Sequence, residues 1–326
     1  MAARFFSSLL GRGGEIRTPK SGQRLCILSL IVFGAIAGRT NASAQVRGVY
    51  PLGMSTTNSG VTPESGFSYS NMLLIYSRNR RTDAEGKTIA TGLHTVVMDM
   101  NSFIWVSKKK ILGGARFSAS ATLPIAKNSL DADEVGPISG GSGFADSYYQ
   151  PFILGWETKR AAIRAVYGFL GPTGRFDATA NDNVGSGYWT HAFSSGQTFF
   201  LTEDKSTTLS AFQMYEVHTR QETTHDHPGQ TFNLDYSLMH SIVRNSAASV
   251  QVGLVGYGQW QTTGKRGPAV TPDEARSRYK IAALGFAANV GFPARRVGFG
   301  FKYFKEIWSR STFQGYSVQA SGSIKF

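Results

Sequence analysis

The sequence predicts an all-β chain: a transmembrane, antiparallel up-and-down β-barrel of about twelve strands behind a cleaved amino-terminal signal peptide. Three observations predict it. The closing residues alternate, with Tyr316, Val318, Ala320, Ile324 and Phe326 on one parity and Ser317, Gln319, Ser321, Ser323 and Lys325 on the other. Strand side chains alternate at period two, so one face is apolar and one polar. The chain opens on an export leader and holds no later apolar run long enough for a membrane helix. Strand-like segments then recur with connections that run long, short, long, short, the pattern of a barrel whose turns differ at its two ends.

The leader occupies residues 1–44. Arg4, Arg12, Arg17, Lys20 and Arg24 precede an apolar run at 25–38, and Ala42-Ser43-Ala44 supplies a peptidase site, so cleavage is expected after Ala44. The run falls short of the about 20 residues that a spanning helix needs. The single cysteine, Cys26, lies in this removed segment, so the mature chain has no disulfide to draw on. A membrane location without helices requires a closed barrel, because only helices and closed barrels satisfy every backbone group in lipid.

Composition agrees. Of 326 residues 37 are glycine, aromatics make up 12% and charged residues only 17%, a mixture suited to strands and tight turns. The formal charge of +13 is scattered, and the longest basic run is Lys108-Lys109-Lys110. A nucleic-acid binder groups its charge on a face or tail, so nucleic acid is excluded as a partner.

Residues 45–65 are rich in Gly, Pro, Ser and Thr and read as an irregular periplasmic lead-in to a barrel at 66–326. Strands are expected at 67–76, 95–106, 112–123, 145–156, 161–170, 188–201, 207–219, 231–240, 249–261, 278–290, 297–305 and over the closing residues. Long loops are expected at 78–92, 124–143, 171–187 and 262–276. Pro151 cannot donate to a ladder, so a bulge is expected there. Aromatics near strand ends, among them Tyr76, Trp105, Trp156, Tyr188, Trp189, Trp260 and Trp308, fit interfacial girdles.

Candidate lumen-lining residues are the polar ones on alternating strands: Asp99, Arg116, Asn233, Asp235, Gln251 and Gln259. No catalytic, metal or cofactor site emerges. His225-Asp226-His227 lacks a third placed ligand, the glycine clusters at 171–174 and 185–187 do not join a strand to a helix, and there is no Gly-x-Ser-x-Gly elbow.

The terminal Phe326 resembles the last residue of bacterial outer-membrane barrels, which the assembly machinery reads. The runs Pro151-Phe152-Ile153-Leu154-Gly155-Trp156, Tyr167 to Phe176 and Asn183 to Thr190, with Gly253-Leu254-Val255-Gly256-Tyr257 and Lys302-Tyr303 with Glu306, resemble the meta-pathway phenol-degradation family of transporter-like outer-membrane barrels. The resemblance spans about residues 66–326. It implies a non-enzymatic channel for passive uptake of small compounds, aromatic or hydrophobic ones among them, in the bacterial outer membrane with both termini periplasmic. The implied partners are outer-membrane lipid and lipopolysaccharide, the barrel-assembly machinery and a small-molecule permeant. A barrel-borne lipid hydrolase using one of His94, His191, His218 or His240, and a structural or adhesive barrel, are the alternatives.

Overall fold

A computed structural model of the chain describes residues 47–132, 136–178, 180 and 183–326. The expected signal peptide and its cleavage site at Ala44 lie outside the described residues. The strands are β1 (Gly66–Thr82), β2 (Thr88–Ile111), β3 (Ala115–Ala132), β4 (Gly136–Phe144), β5 (Ser147–Glu157), β6 (Ala161–Gly171), β7 (Thr190–Phe200), β8 (Thr207–His218), β9 (Thr231–Arg244), β10 (Ser249–Gln261), β11 (Lys280–Phe292), β12 (Val297–Arg310) and β13 (Phe313–Lys325). A one-turn helix, α1 (Pro272–Arg276), sits in the loop before β11.

All pairings are antiparallel, and β13 returns to pair with β1, so the sheet closes. β4 lies along residues 125–132 of β3 and β5 along residues 116–122 of the same strand. The two therefore share one place in the wall, and the barrel has twelve positions.

The burial pattern is inverted relative to a soluble sandwich. On β9, Thr231, Asn233 and Asp235 are fully buried while Tyr236 and Leu238, of the opposite parity, are exposed. Leu254 (68% exposed), Phe152 (60%) and Phe299 (57%) continue that outer surface round the wall. Exposed apolar side chains over a polar interior are stable only if the surrounding solvent is lipid.

Aromatic contacts mark the rim that carries Gly66 and Phe326, here the near rim. Phe67 packs against Phe103 at 6.4 Å and Phe326 at 5.9 Å, and Phe117 joins Trp105 to Phe152. At the far rim Phe169 meets Trp189 and Phe232 meets Trp260. Two of the expected girdle aromatics do not take part: Tyr76 and Tyr188 turn inward, Tyr76 to hydrogen-bond Glu306 and Tyr188 to pack edge-on against His218.

Strand lengths differ from expectation on one side of the barrel. The segment 78–92 is mostly paired, with Arg80 opposite Thr91 and Arg81 opposite Ala90, and only 83–87 turns. Asp83 caps that turn by accepting from the backbone N–H groups of Glu85 and Lys87. Likewise 124–143 continues β3 and returns as β4. The cause is that a ladder running past the lipid is wetted on both faces, so it carries no apolar alternation to read. At Pro151 the expected bulge is present: Tyr149 opposes Phe169 and Phe152 opposes Tyr167, leaving one extra residue on β5.

The lead-in also differs from expectation. Residues 47–65 do not lie outside the barrel on the periplasmic side; they run through its lumen. Arg47 bonds Thr312 in the turn at the far rim, while Gly66 begins β1 at the near rim. The first described residues and Phe326 therefore sit at opposite rims. The reason is chemical: an irregular segment has unpaired backbone groups, and the polar inner wall offers partners for them.

The β1–β13 seam closes the sheet with backbone in tight contact. A Cβ on Gly315 would fall 1.9 Å from the Ser77 carbonyl oxygen and 2.7 Å from Arg78 Cα. Neither neighbour can move without breaking the ladder. Gly315→Val should therefore abolish the compact, faster-migrating band that a folded barrel gives on an unheated denaturing gel; a normal band would show that the seam tolerates the branch.

Candidate functional site: a lumen occupied by the amino-terminal segment

The segment 47–65 contains Pro51 and Pro63 and forms no strand. Its own turns are few, Met54 N–H to Pro51 O and Val61 N–H to Asn58 O. The wall supplies the rest. Asp235 accepts from Tyr50 Oη (2.6 Å), Gly53 N (3.1 Å) and Ser55 N (3.0 Å). Glu216 accepts from Tyr50 N at 2.7 Å and from Thr231. Lys302 donates to the carbonyls of Gly53 and Met54, Gln319 to Leu52 O and Ser237 to Thr56 O. Nearer the near rim Asn58 donates to Gln251, Arg164 donates to Ser59 O, and Gly60 N donates to Thr198.

Glu306 is the hub at the far end. Its Oε1 accepts from Arg47 at 2.9 Å, Tyr76 at 2.6 Å and Tyr257 at 3.0 Å, and its Oε2 accepts from Gly315 N. The carboxylate is fully buried and Arg47 nearly so. Two buried charges are tolerable here because each is paired and further hydrogen-bonded. Apolar residues of the segment complete the fit: Tyr50 stacks on Phe212, and Leu52 packs against a cluster containing Met239, Val255, Tyr257 and Phe304.

These attachments are one-sided. From Gly48 to Gly60 the segment's hydrogen bonds to the wall go to β6–β13 and to Tyr279 just before β11. Facing it across the lumen, the inward residues of β1 and β2 between Tyr76, Arg78 and His94 at the far mouth and the near rim include Leu74, Val96, Met98 and Met100. Between segment and wall lies a cavity of about 290 Å³, also lined by Met54, Ala126, Leu170, Met214 and Glu216. Its far mouth is framed by Arg47, Arg78, His94 and Asn128 and by residues 183–186 of the segment before β7. Asp146 pins that segment by accepting from Gly174 N, Ser186 N and Ser186 Oγ.

Of the six candidate lumen residues, Arg116, Asn233, Asp235, Gln251 and Gln259 lie on inward parities. Asp235 and Gln251 hold the segment, and Gln259 donates to Asn233 at 2.6 Å. Asp99 does not line the lumen. Its neighbours on β2, Met98 and Met100, face the cavity, so Asp99 lies on the lipid-facing parity with Val97, Phe103 and Trp105. There Asn71 donates to Asp99, and Tyr69 donates to Asn101. The alternation on β2 has apolar residues on both faces, which made the wrong parity look wet.

Sequence reasoning missed Glu216, Lys302 and Glu306 as attachment points. On β8 the inward parity carries Phe212 and Met214 beside Glu216 and His218 while Gln213 stands on the outward one, so both faces mix apolar and polar residues and parity gives a weak signal. His191, His218 and His240 bond Tyr167, Thr190 and Thr207, none of them a serine.

A closed wall of twelve positions, lipid-facing outside and occupied by an irregular segment inside, defines an outer-membrane-type β-barrel. The chain belongs to the family described as "Putative MetA-pathway of phenol degradation", whose model matches residues 78–321. No curated protein matches. Among solved structures it is similar to the COG4313 outer membrane channel from Pseudomonas putida F1, at 12% identity and a TM-score of 0.70 over 83% of this chain and 98% of that one. It is also similar to the beta domain of the Bordetella autotransporter BrkA, at 11% identity and a TM-score of 0.46 over 81% and 100%. The first likeness carries the fold.

Two outcomes test this geometry. Glu306→Gln leaves Arg47 a buried charge without its counter-ion, a loss of about 3 kcal/mol. The far end of the segment should then open about 100-fold more often, read as faster thiol labelling of a Val49→Cys reporter; an unchanged rate would mean the pair does not hold the segment. Asp99→Asn keeps the acceptor for Asn71 and removes a charge from the lipid face, so thermal unfolding should shift upward, by about 1 kcal/mol. A downward shift would contradict the lipid-facing placement.

Proposed function

We propose that the protein is a passive outer-membrane channel for small aromatic or hydrophobic compounds. The observation that carries the reading is the cavity of about 290 Å³ retained inside a closed, lipid-facing wall. Its size suits a small solute, and its walls are chiefly apolar with a polar mouth, as ligand-holding cavities are. The family's description points to phenol degradation, and the similar structure from Pseudomonas putida is named a channel. Selection is by width and lining, with no chemistry on the permeant.

In this reading the near rim faces the periplasm, with Phe326 there as the residue read by the assembly machinery, and residues 183–189, 219–230 and 262–279 face outward among lipopolysaccharide. Cleavage after Ala44 leaves a mature chain whose segment from Arg47 to Ser65 lies inside the barrel. The inward polar groups that do not hold the segment, Arg116 among them, wet the lumen.

Purified mature protein in planar bilayers should give discrete conductance steps, and a deletion strain should take up an aromatic carbon source more slowly than its parent. Silence in the bilayer together with normal uptake would overturn the channel reading.

A further inference from the structure

The lumen is divided lengthwise by chemistry. The segment's hydrogen bonds from Gly48 to Gly60 run to β6–β13, and Asp235 alone accepts three of them. Past the polar far mouth of Tyr76, Arg78, His94 and Asn128, the β1–β2 side of the lumen offers it little: Leu74, Val96, Met98 and Met100 have no polar atom with which to hold a backbone. The cavity lies on that side. Toward the near rim the same parities continue as Ser68 and Ser70 on β1, Ser102 on β2, Ser120 on β3 and Ser321 and Ser323 on β13. None of these six is buried, whereas Ser237 and Gln319, on the segment's side, are.

From this asymmetry we infer that the permeant passes beside the segment along β1–β3 while the segment stays in place, and that the cavity at the far-rim end is a binding site for an uncharged, one-ring apolar molecule. The inference rests on the channel reading above. Methionines at 98, 100 and 214 supply unbranched, polarisable walls that fit flat rings of varied substitution. Past the far mouth, where Arg47 and Arg78 stand, an anion of the same size would have to shed water against Leu74, Met98 and Met100. Between the cavity and the near rim the solute meets hydroxyls on short side chains, which rewet it without holding it.

The mature chain contains no cysteine, so introduced pairs would be its only thiols. A Cβ on Gly155 would fall 3.0 Å from Thr62 Cβ, somewhat inside the about 3.5–4.5 Å that a disulfide spans, and one on Gly48 would fall 2.7 Å from Thr231 Oγ1 and 2.2 Å from the end of the Glu216 side chain, which must move aside. The double pair Gly48→Cys with Thr231→Cys and Thr62→Cys with Gly155→Cys ties the segment at both ends.

In planar bilayers the oxidised four-cysteine variant should carry at least half the current of its reduced form. Added phenol should block that current, and benzoate should block it at least tenfold less well. Met100→Arg should retain current and lose the phenol block. A current that vanishes on oxidation and returns with reductant would show that the segment must leave, overturning the inference while leaving the channel intact. Equal block by phenol and benzoate, or phenol block surviving Met100→Arg, would overturn the binding site. No current from the reduced variant or the wild-type protein would instead sink the channel reading itself. Each variant is first checked for the compact band on an unheated gel, and Met100→Gln, which adds polarity without charge, serves if Met100→Arg does not fold.

Discussion

Everything in this protein follows from placing backbone amides in a medium that offers them no hydrogen bond. A strand in lipid must find both neighbours within its own sheet, and a sheet with ends leaves two rows of groups unsatisfied. Closure through β13 and β1 removes both rows at once. The same constraint dictates the inversion of burial. Leu254 and Phe299 stand exposed because hydrocarbon surrounds them, and Asp235 and Glu306 are buried because the interior is where polar groups can be answered.

That interior creates a second requirement. Carboxylates pointing into a narrow lumen need donors, and water alone supplies them poorly once the space is filled with side chains. The segment 47–65 meets the need in reverse: as an irregular chain it carries unpaired N–H groups, and it brings Arg47 to Glu306. Wall and segment thus satisfy one another. The arrangement resembles a folded core more than a loop resting in a pipe, since Tyr50 and Leu52 bury apolar surface as well. Because the acids stand on one arc of the wall, the segment is held to that arc, and the opposite arc keeps its space.

The parts of this picture that were legible in the sequence are those governed by period two. Strands such as β9 and β13 separate apolar from polar residues cleanly, and their place and facing could be read directly. The bulge at Pro151 was legible for an equally local reason, the missing N–H. Legibility failed where the two faces met similar surroundings. β1, β2 and β3 run beyond the lipid, where both faces are wet, so their outer ends read as loops. On β2 the lumen face is apolar because it borders the cavity, and Asp99, with Asn101, sits on the lipid face; polarity therefore pointed to the wrong side.

By itself the sequence determined the class of fold, the number of positions in the wall and which strands present which parity on most of the barrel, since those depend on alternation and turn chemistry within short windows. Only the tertiary structure decided that residues 47–65 enter the lumen, that Glu306 meets Arg47 from far along the chain, and that the free space lies against β1–β3. Those outcomes depend on which groups closure brings face to face across the interior, and nothing in a local pattern of residues encodes that distance.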